Sequence, residues 1–264
     1  MRCVFADEAH GARARQLPDY EGFAPQLARV VVARQMLNAG VIIPDARADG
    51  MDWLLHLDAD ELIAPYTSGV SLPDYLAAVP AAIDEVIFPN FEAVPLTEEM
   101  DDPFLSVRLF KKSPYYLRYK EFEHVFTAWD GAGGKFKIFN AYITGKSALR
   151  LADVDAPFVP QSVHHFLPLR FTANVHIEDE GGPAVFHYPF CGLSRFVSRF
   201  TGMNKDRINT YAVADDLYGQ AAALVAEGRM EALPALYRRL VMLEGVMEKL
   251  ERRGLLVRWD VVRP

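Results

Sequence analysis

The chain has 264 residues, 51% hydrophobic and 24% charged, with a formal net charge of −7. That length and composition suit a soluble α/β protein of one large domain or two small ones with a sizeable core, and the acidic balance excludes a general nucleic-acid binder, which is usually basic. Two cysteines, Cys3 and Cys191, make neither a disulfide framework nor a zinc pattern. No apolar run approaches bilayer-spanning length, and Met1 to Ala6 is too short and too soon acidic for a signal peptide, so the expected location is the reducing cytoplasm.

In chain order, Arg2 to Ala6 reads as a short strand and Asp7 to Gly11 as the loop after it. Phe23 to Gly40 has helical spacing (Leu27, Val30, Val31, Arg34, Leu37) and ends on a glycine suited to a C-terminal cap. Pro44 suits the first position of a second short helix that stops at Gly50. Trp53 to Leu57 is a nearly continuous apolar run, the pattern of a strand buried on both faces of a parallel sheet. Ser71 to Val79 predicts a helix capped by Ser71 with Asp74 in its first turn, and Glu85 to Phe88 a strand. This β–α–β alternation favours a parallel sheet. Leu105–Phe110, Phe122–Phe126 and Lys135–Phe139 are strand-like and predict an added β region. Ala184 to Tyr188 is a further strand. Beyond it, helical spacing places Arg195 and Arg199 on one face and Phe196 and Phe200 on another. Leu236, Leu240, Leu243, Met247 and Leu250 form an apolar stripe, opened by Pro234 and stopped by Gly254, that reads as core packing or a partner helix. The expected division is a domain over 1–205 and a helical tail over 206–264.

The stretch that organises the chain is Asp52 to Leu62. Asp58 and Asp60 follow its apolar strand at the carboxyl end, where ligands bind in open α/β sheets. Neighbouring carboxylates repel each other unless a cation is shared, and their oxygens suit Mg²⁺ or Mn²⁺, which in turn bridge diphosphate oxygens. The plainer reading is a polar turn after a core strand. His187, at the end of its own strand, has an imidazole that can complete a Mn²⁺ shell. Lys146 and Arg150 can neutralise phosphate or carboxylate groups, and Arg195, Arg199 and Lys205 follow His187 closely enough to contact a diphosphate. His164 and His165 would point opposite ways on a strand, so at most one faces a site.

Asp58-Ala-Asp-Glu61, entered from a Trp-containing strand and left through Leu62, resembles the Asp-x-Asp region of GT-A-fold glycosyltransferases, most of all families 2 and 92. The resemblance continues through Gly145–Arg150, Val163–Phe166 and Phe186–Phe190, roughly over residues 25 to 205. It implies a GT-A-like (Rossmann-like) α/β fold, a mostly parallel sheet flanked by helices, with Mn²⁺ or Mg²⁺ at Asp58, Asp60 and His187. It also implies a nucleotide-sugar donor held by Asp7, Asp58, Lys146, Arg195 and Arg199, and a glycan, lipid or protein acceptor. An inverting transfer needs a carboxylate base, for which Glu92 is the first candidate and Glu123 the second. The family pattern places a strand–helix unit ahead of the stretch that begins at Arg2, so the expectation is either that the sequence lacks its start or that the nucleotide pocket is incomplete. The expected consequence is either an uncovered sheet edge beside Arg2–Phe5, which invites self-association, or a tail packed over that edge. Two other readings are a haloacid-dehalogenase-like phosphatase, in which Asp58 would be the nucleophile but Leu62 departs from the usual Thr or Val, and a non-catalytic sugar- or nucleotide-binding remnant.

Overall fold

A computed structural model describes residues 7–28, 30–64, 69–116, 145–151, 158–160, 164–168, 175–177, 181–205, 208 and 217–261. In chain order the elements are α1 (Glu8–Ala14), α2 (Tyr20–Phe23), α3 (Val31–Ala48), β1 (Trp53–Leu55), β2 (Glu61–Ala64), α4 (Leu72–Ala78), β3 (Glu85–Phe88) and β4 (Asn90–Ala93). They continue with α5 (Pro103–Ser106), β5 (Leu109–Lys111), β6 (Lys146–Arg150), β7 (Phe158–Pro160), β8 (Phe166–Pro168), β9 (Val175–Ile177) and β10 (Ala184–His187). The chain closes with α6 (Leu193–Thr201), α7 (Leu217–Ala226), α8 (Leu233–Leu240), α9 (Met247–Arg252) and β11 (Leu256–Arg258). The predicted strand at Arg2–Ala6 and those at Phe122–Phe126 and Lys135–Phe139 lie outside the described residues, as does Glu123.

The protein is α/β, with mixed sheets and helices in two compact units that interleave along the chain. Residues 1–58, 69–88 and 144–178 form the first, and 59–68, 89–143 and 179–264 the second. The first carries a sheet in the order β1-β6-β3-β9 and the hairpin β7-β8; the second carries β11-β5-β4-β10-β2. Of the eight strand pairings among the described residues, only β3–β9 and β4–β10 are parallel. The sheets are therefore mixed rather than mostly parallel. The β–α–β alternation up to residue 90 misled because β1 and β3 are not neighbours: β6, from far along the chain, inserts between them, antiparallel to both.

In the first unit the buried strand β3 anchors the sheet, and α4 starts as predicted, with the Ser71 hydroxyl accepting from the Asp74 N–H at 3.2 Å. Strand β1 is the edge of this sheet and only half-buried, not covered on both faces. Helix α3 runs through both expected caps. Pro44 sits inside it, and Gly40 is a packing position, where a Cβ would meet Leu17 Cδ1 at 2.9 Å. One face of α3 sets Ile43, Ala39 and Ala46 against Leu149, Leu151 and Leu54, while Leu37 and Val41 pack on Ala14, Leu17 and Tyr20. A helix buried on two sides shows no single apolar stripe, which is why its limits were hard to read. Asp7 is no loop acid: it caps α1, its carboxylate accepting from the His10 N–H at 2.8 Å.

In the second unit one face of the sheet is aromatic. Phe91 stacks on Phe186 with centroids 5.6 Å apart, and Phe110 meets Phe186 edge-on at 4.9 Å. Phe190, Phe196 and Phe200 of the α6 region pack with Leu233, Leu236, Tyr237 and Leu240 of α8. The Tyr237 hydroxyl ties the strand-to-helix corner, accepting from the Gly192 N–H and donating to the Phe190 carbonyl. Phe196 and Phe200 are buried and Arg195 and Arg199 exposed, as the spacing predicted. The C-terminal stripe is buried at Leu236, Leu240, Leu243 and Leu250, but not as one helix. The chain breaks after α8, with Leu243 at φ 58° and Gly245 at φ 81°, so that α9 can return toward β11.

Candidate functional site

The Asp-Ala-Asp-Glu stretch hands its carboxylates to different surroundings: Asp58 closes the first unit, and Asp60 and Glu61 belong to the second.

In the first unit Asp58 stands just past the end of β1. Its Oδ2 accepts from Lys146 Nζ at 2.8 Å, and its Oδ1 from the Gln35 side chain. Lys146 opens β6 and its side chain is 0% exposed, against 30% for Asp58. This buried ammonium therefore serves Asp58 rather than reaching into solvent for a phosphate. Burial by itself would raise the Asp58 pKa, but the Lys146 hydrogen bond and charge, with His56 and Gln35, outweigh it and hold the carboxyl below its ordinary range. His164 Nδ1 lies 2.9 Å from the Gly145 carbonyl, which can only accept, so the ring donates there. Burial, then the charge of Lys146, depress its pKa to about 4, so His164 is neutral at physiological pH. His165 does face elsewhere, with Nδ1 3.8 Å from Glu85 Oε1. Arg150 is structural: its guanidinium lies 4.2 Å over the Trp53 ring and donates to the carbonyls of Val79, Pro80 and Ile83.

In the second unit His187 ends β10 with its Nε2 3.8 Å from Asp60 Oδ2. Register does the rest. His187 pairs across β2 with Glu61 and across β4 with Glu92, and Glu92 pairs in turn with Lys111 of β5. Residues opposite one another in a sheet project from the same face. Glu61, His187, Glu92 and Lys111 thus form one polar row across four strands, all of them buried. Buried charge is tolerated where it is paired, and Lys111 Nζ meets Glu92 Oε1 at 2.7 Å. The opposite face is the aromatic one, while the row shares its own face with Leu109 and Leu256 of the helix-covered core.

This row, with Asp60 beside its His187 end, brings together His187 and Glu92, which were singled out from the sequence, with Glu61 and Lys111, which were not. Glu61 was visible as the last letter of the motif; Lys111 had no local signal. Gln35 and His56, beside Asp58, likewise had none. Arg195 is exposed on α6, and Arg199 lies 5.4 Å over the rings of both Phe190 and Tyr218, so it packs rather than projects. Lys205 is exposed beyond that helix.

Among the described residues no three His, Cys, Asp or Glu side chains converge on a common ion position. The predicted ligands Asp60 and His187 do approach each other, but two donors each about 2.1 Å from an octahedral ion lie about 3.0 Å apart when adjacent and about 4.2 Å when opposite, and their 3.8 Å matches neither. To share such an ion as adjacent ligands the two side chains would have to close by about 0.8 Å.

An α/β protein with a carboxylate–histidine pair at strand ends and a buried polar row beside it is the class of molecule this fold and site define. The chain is 32% identical over 243 residues to one glycosyltransferase-like protein of Arabidopsis thaliana and 31% identical over 244 residues to a second. Each alignment covers 85% of this chain but 50% and 44% of the respective relative, so the chain spans about half the length of the curated relatives it matches. Both of these relatives carry glycosyltransferase-like names. No family model matches the chain. No helix among the described residues is long and apolar enough to cross a membrane.

Proposed function

We propose that this chain is a GT-A-type glycosyltransferase domain that moves a sugar from a nucleotide-sugar donor to a hydroxyl acceptor with the help of a divalent ion. The observation that carries this reading is the 3.8 Å approach of His187 Nε2 to Asp60 Oδ2 inside an Asp-x-Asp-Glu motif. The glycosyltransferase-like names of the relatives favour it over a phosphatase.

In this reading Asp60 and His187 hold Mn²⁺ or Mg²⁺, which when bound neutralises the diphosphate of the leaving group. Within the first unit Lys146 and Gln35 fix the orientation of the Asp58 carboxylate. Lys146 itself is a positioning residue. Glu92, one strand from His187 on the same face, receives the acceptor's proton, with Lys111 as its counter-charge. This makes the transfer inverting. Arg195, exposed on α6, remains available to the donor phosphates.

The test is thermal stabilisation by a nucleoside diphosphate with and without Mn²⁺, followed by transfer from a panel of nucleotide sugars. Wild type gains stability only with both ligands present. Asp60→Ala and His187→Ala lose that gain with the fold intact, whereas Glu92→Gln keeps it and loses transfer. Mn²⁺-dependent stabilisation that survives unchanged in Asp60→Ala refutes the assignment.

A further inference from the structure

Two groups on which the proposed transfer relies are nearly sealed: Glu92 is 4% exposed and His187 7%. A reacting hydroxyl has to come within about 3.2 Å of its general base, so part of the protein must move to admit it. The helix-covered face cannot be that part, because Phe190, Phe196, Leu236 and Tyr237 belong to a core that opens only with the fold. The end of the sheet is closed differently. Strands β4 and β10 are parallel and finish together, at Ala93 and His187, and β2 begins beside them at Glu61. Residues 95–102 leave β4 at this same end, form no helix or strand of their own, and are drawn onto α6, which starts a short turn beyond His187.

The fastenings of this segment are polar and lie at the surface. The Glu98 carbonyl accepts from the Leu193 N–H at 2.6 Å, and the Glu99 carboxylate accepts from the Ser194 N–H at 2.7 Å and from its hydroxyl at 2.5 Å. The Glu98 carboxylate accepts from Arg238 of α8. Leu96, Thr97, Glu99, Asp101 and Asp102 are all exposed. Elements held by exposed polar contacts, with little buried apolar surface, are those that open locally while the core stays intact. Both ends of the segment are firm, by contrast. The Val94 N–H donates to the Leu109 carbonyl at 2.8 Å, and Asp102 caps α5, accepting from the Phe104 N–H at 2.9 Å. A segment anchored at both ends and fastened in its middle by displaceable contacts is built to swing as a cover.

We propose that residues 95–102 form a lid over the Glu92–His187 end of the sheet, latched by Glu99 to the start of α6, and that its release admits the acceptor. What enters rests on the glycosyl-transfer reading; the lid itself is tested without it.

The experiment compares the full wild-type chain with Glu99→Ala, which removes the latch, and Ser194→Ala, which removes only the hydroxyl donor. Amide exchange at Leu193 and Ser194, followed by mass spectrometry, should quicken at least about fivefold in Glu99→Ala, with an unchanged urea midpoint showing that the opening is local. Modification of His187 by diethyl pyrocarbonate, located by peptide mapping, should rise by a similar factor, while His164 and His165 of the first unit react as in wild type. The apparent KM for an acceptor should fall, because a substrate that binds only the open state has its affinity reduced by the open fraction. Ser194→Ala should move each quantity in the same direction and by less. Unchanged exchange in Glu99→Ala overturns the latch. Faster exchange with unchanged His187 reactivity shows a strap that covers nothing and overturns the lid, and an unchanged acceptor KM in an active enzyme overturns the admission of substrate. Faster His187 modification in a chain that transfers no sugar supports the lid and refutes the glycosyl-transfer reading instead.

Discussion

The Asp58–Lys146 pair makes an asymmetric prediction. Its members are 88 positions apart, joined by a 2.8 Å hydrogen bond, and differ in access to water: Lys146 has none, whereas about a third of the Asp58 side chain is exposed. Removing one partner of a buried pair costs about 3–5 kcal/mol because a charge is left in the interior. Asp58→Asn does this to the ammonium, which cannot turn to solvent, so a loss near that range is expected. Lys146→Met leaves instead a carboxylate that still accepts from Gln35 and can rehydrate at its open edge, so the loss should be smaller, about 1–2 kcal/mol. The double variant, with neither charge, should recover part of the Asp58→Asn loss. Urea unfolding followed by tryptophan fluorescence gives the three midpoints, and an unchanged m-value shows that the comparison is one of stability. The sign of the pH dependence follows as well. A carboxylate held below its unfolded value near 3.9 adds stability above that pH, which is lost as pH falls through the lower folded-state pKa. This acid limb should flatten in Lys146→Met. A Lys146→Met loss equal to or greater than that of Asp58→Asn would sink the reasoning.

Three further outcomes can be checked. His164 is depressed from about 6.5 to about 4, so the unfolded chain binds a proton first as pH falls; stability should drop between those values, and His164→Asn, which retains a donor toward Gly145, should remove that slope in a series of melts. The Tyr188 hydroxyl is buried with no hydrogen-bond partner among the described residues, so Tyr188→Phe should unfold at the same or a higher urea concentration, with a gain of up to about 1–2 kcal/mol; a loss above about 1 kcal/mol would show a partner for that hydroxyl. Cys191 is buried, and burial first, then Glu92, raise its thiol to about 12, so a thiol reagent at pH 8 should label it only at the rate of unfolding; rapid labelling of the native chain at this position contradicts that.

What this sequence determined by itself was local. The Ser71 cap, the apolar strands β3 and β10, and the placement of Phe196 and Phe200 against Arg195 and Arg199 each depend on a few consecutive residues whose spacing dictates conformation. The placing of His187 at the end of its strand was legible for the same reason, whereas Asp60, read as following the Trp53–Leu57 strand, sits in the turn before β2. Tertiary structure decided strand direction, because β6 and β10 each insert between strands drawn from elsewhere in the chain, and periodicity within one strand carries no information about its neighbours' polarity. It also decided the partners of the charges. Lys146 and Arg150 both looked like groups that neutralise an anion; Lys146 is the buried counter-ion of Asp58, and Arg150 lies over Trp53. Lys111 and Glu61 joined His187 and Glu92 only through register, and a slip of one residue would have turned each of them to the aromatic face. Register is set by the packing of whole sheets, so no stretch of a few residues could have announced that row.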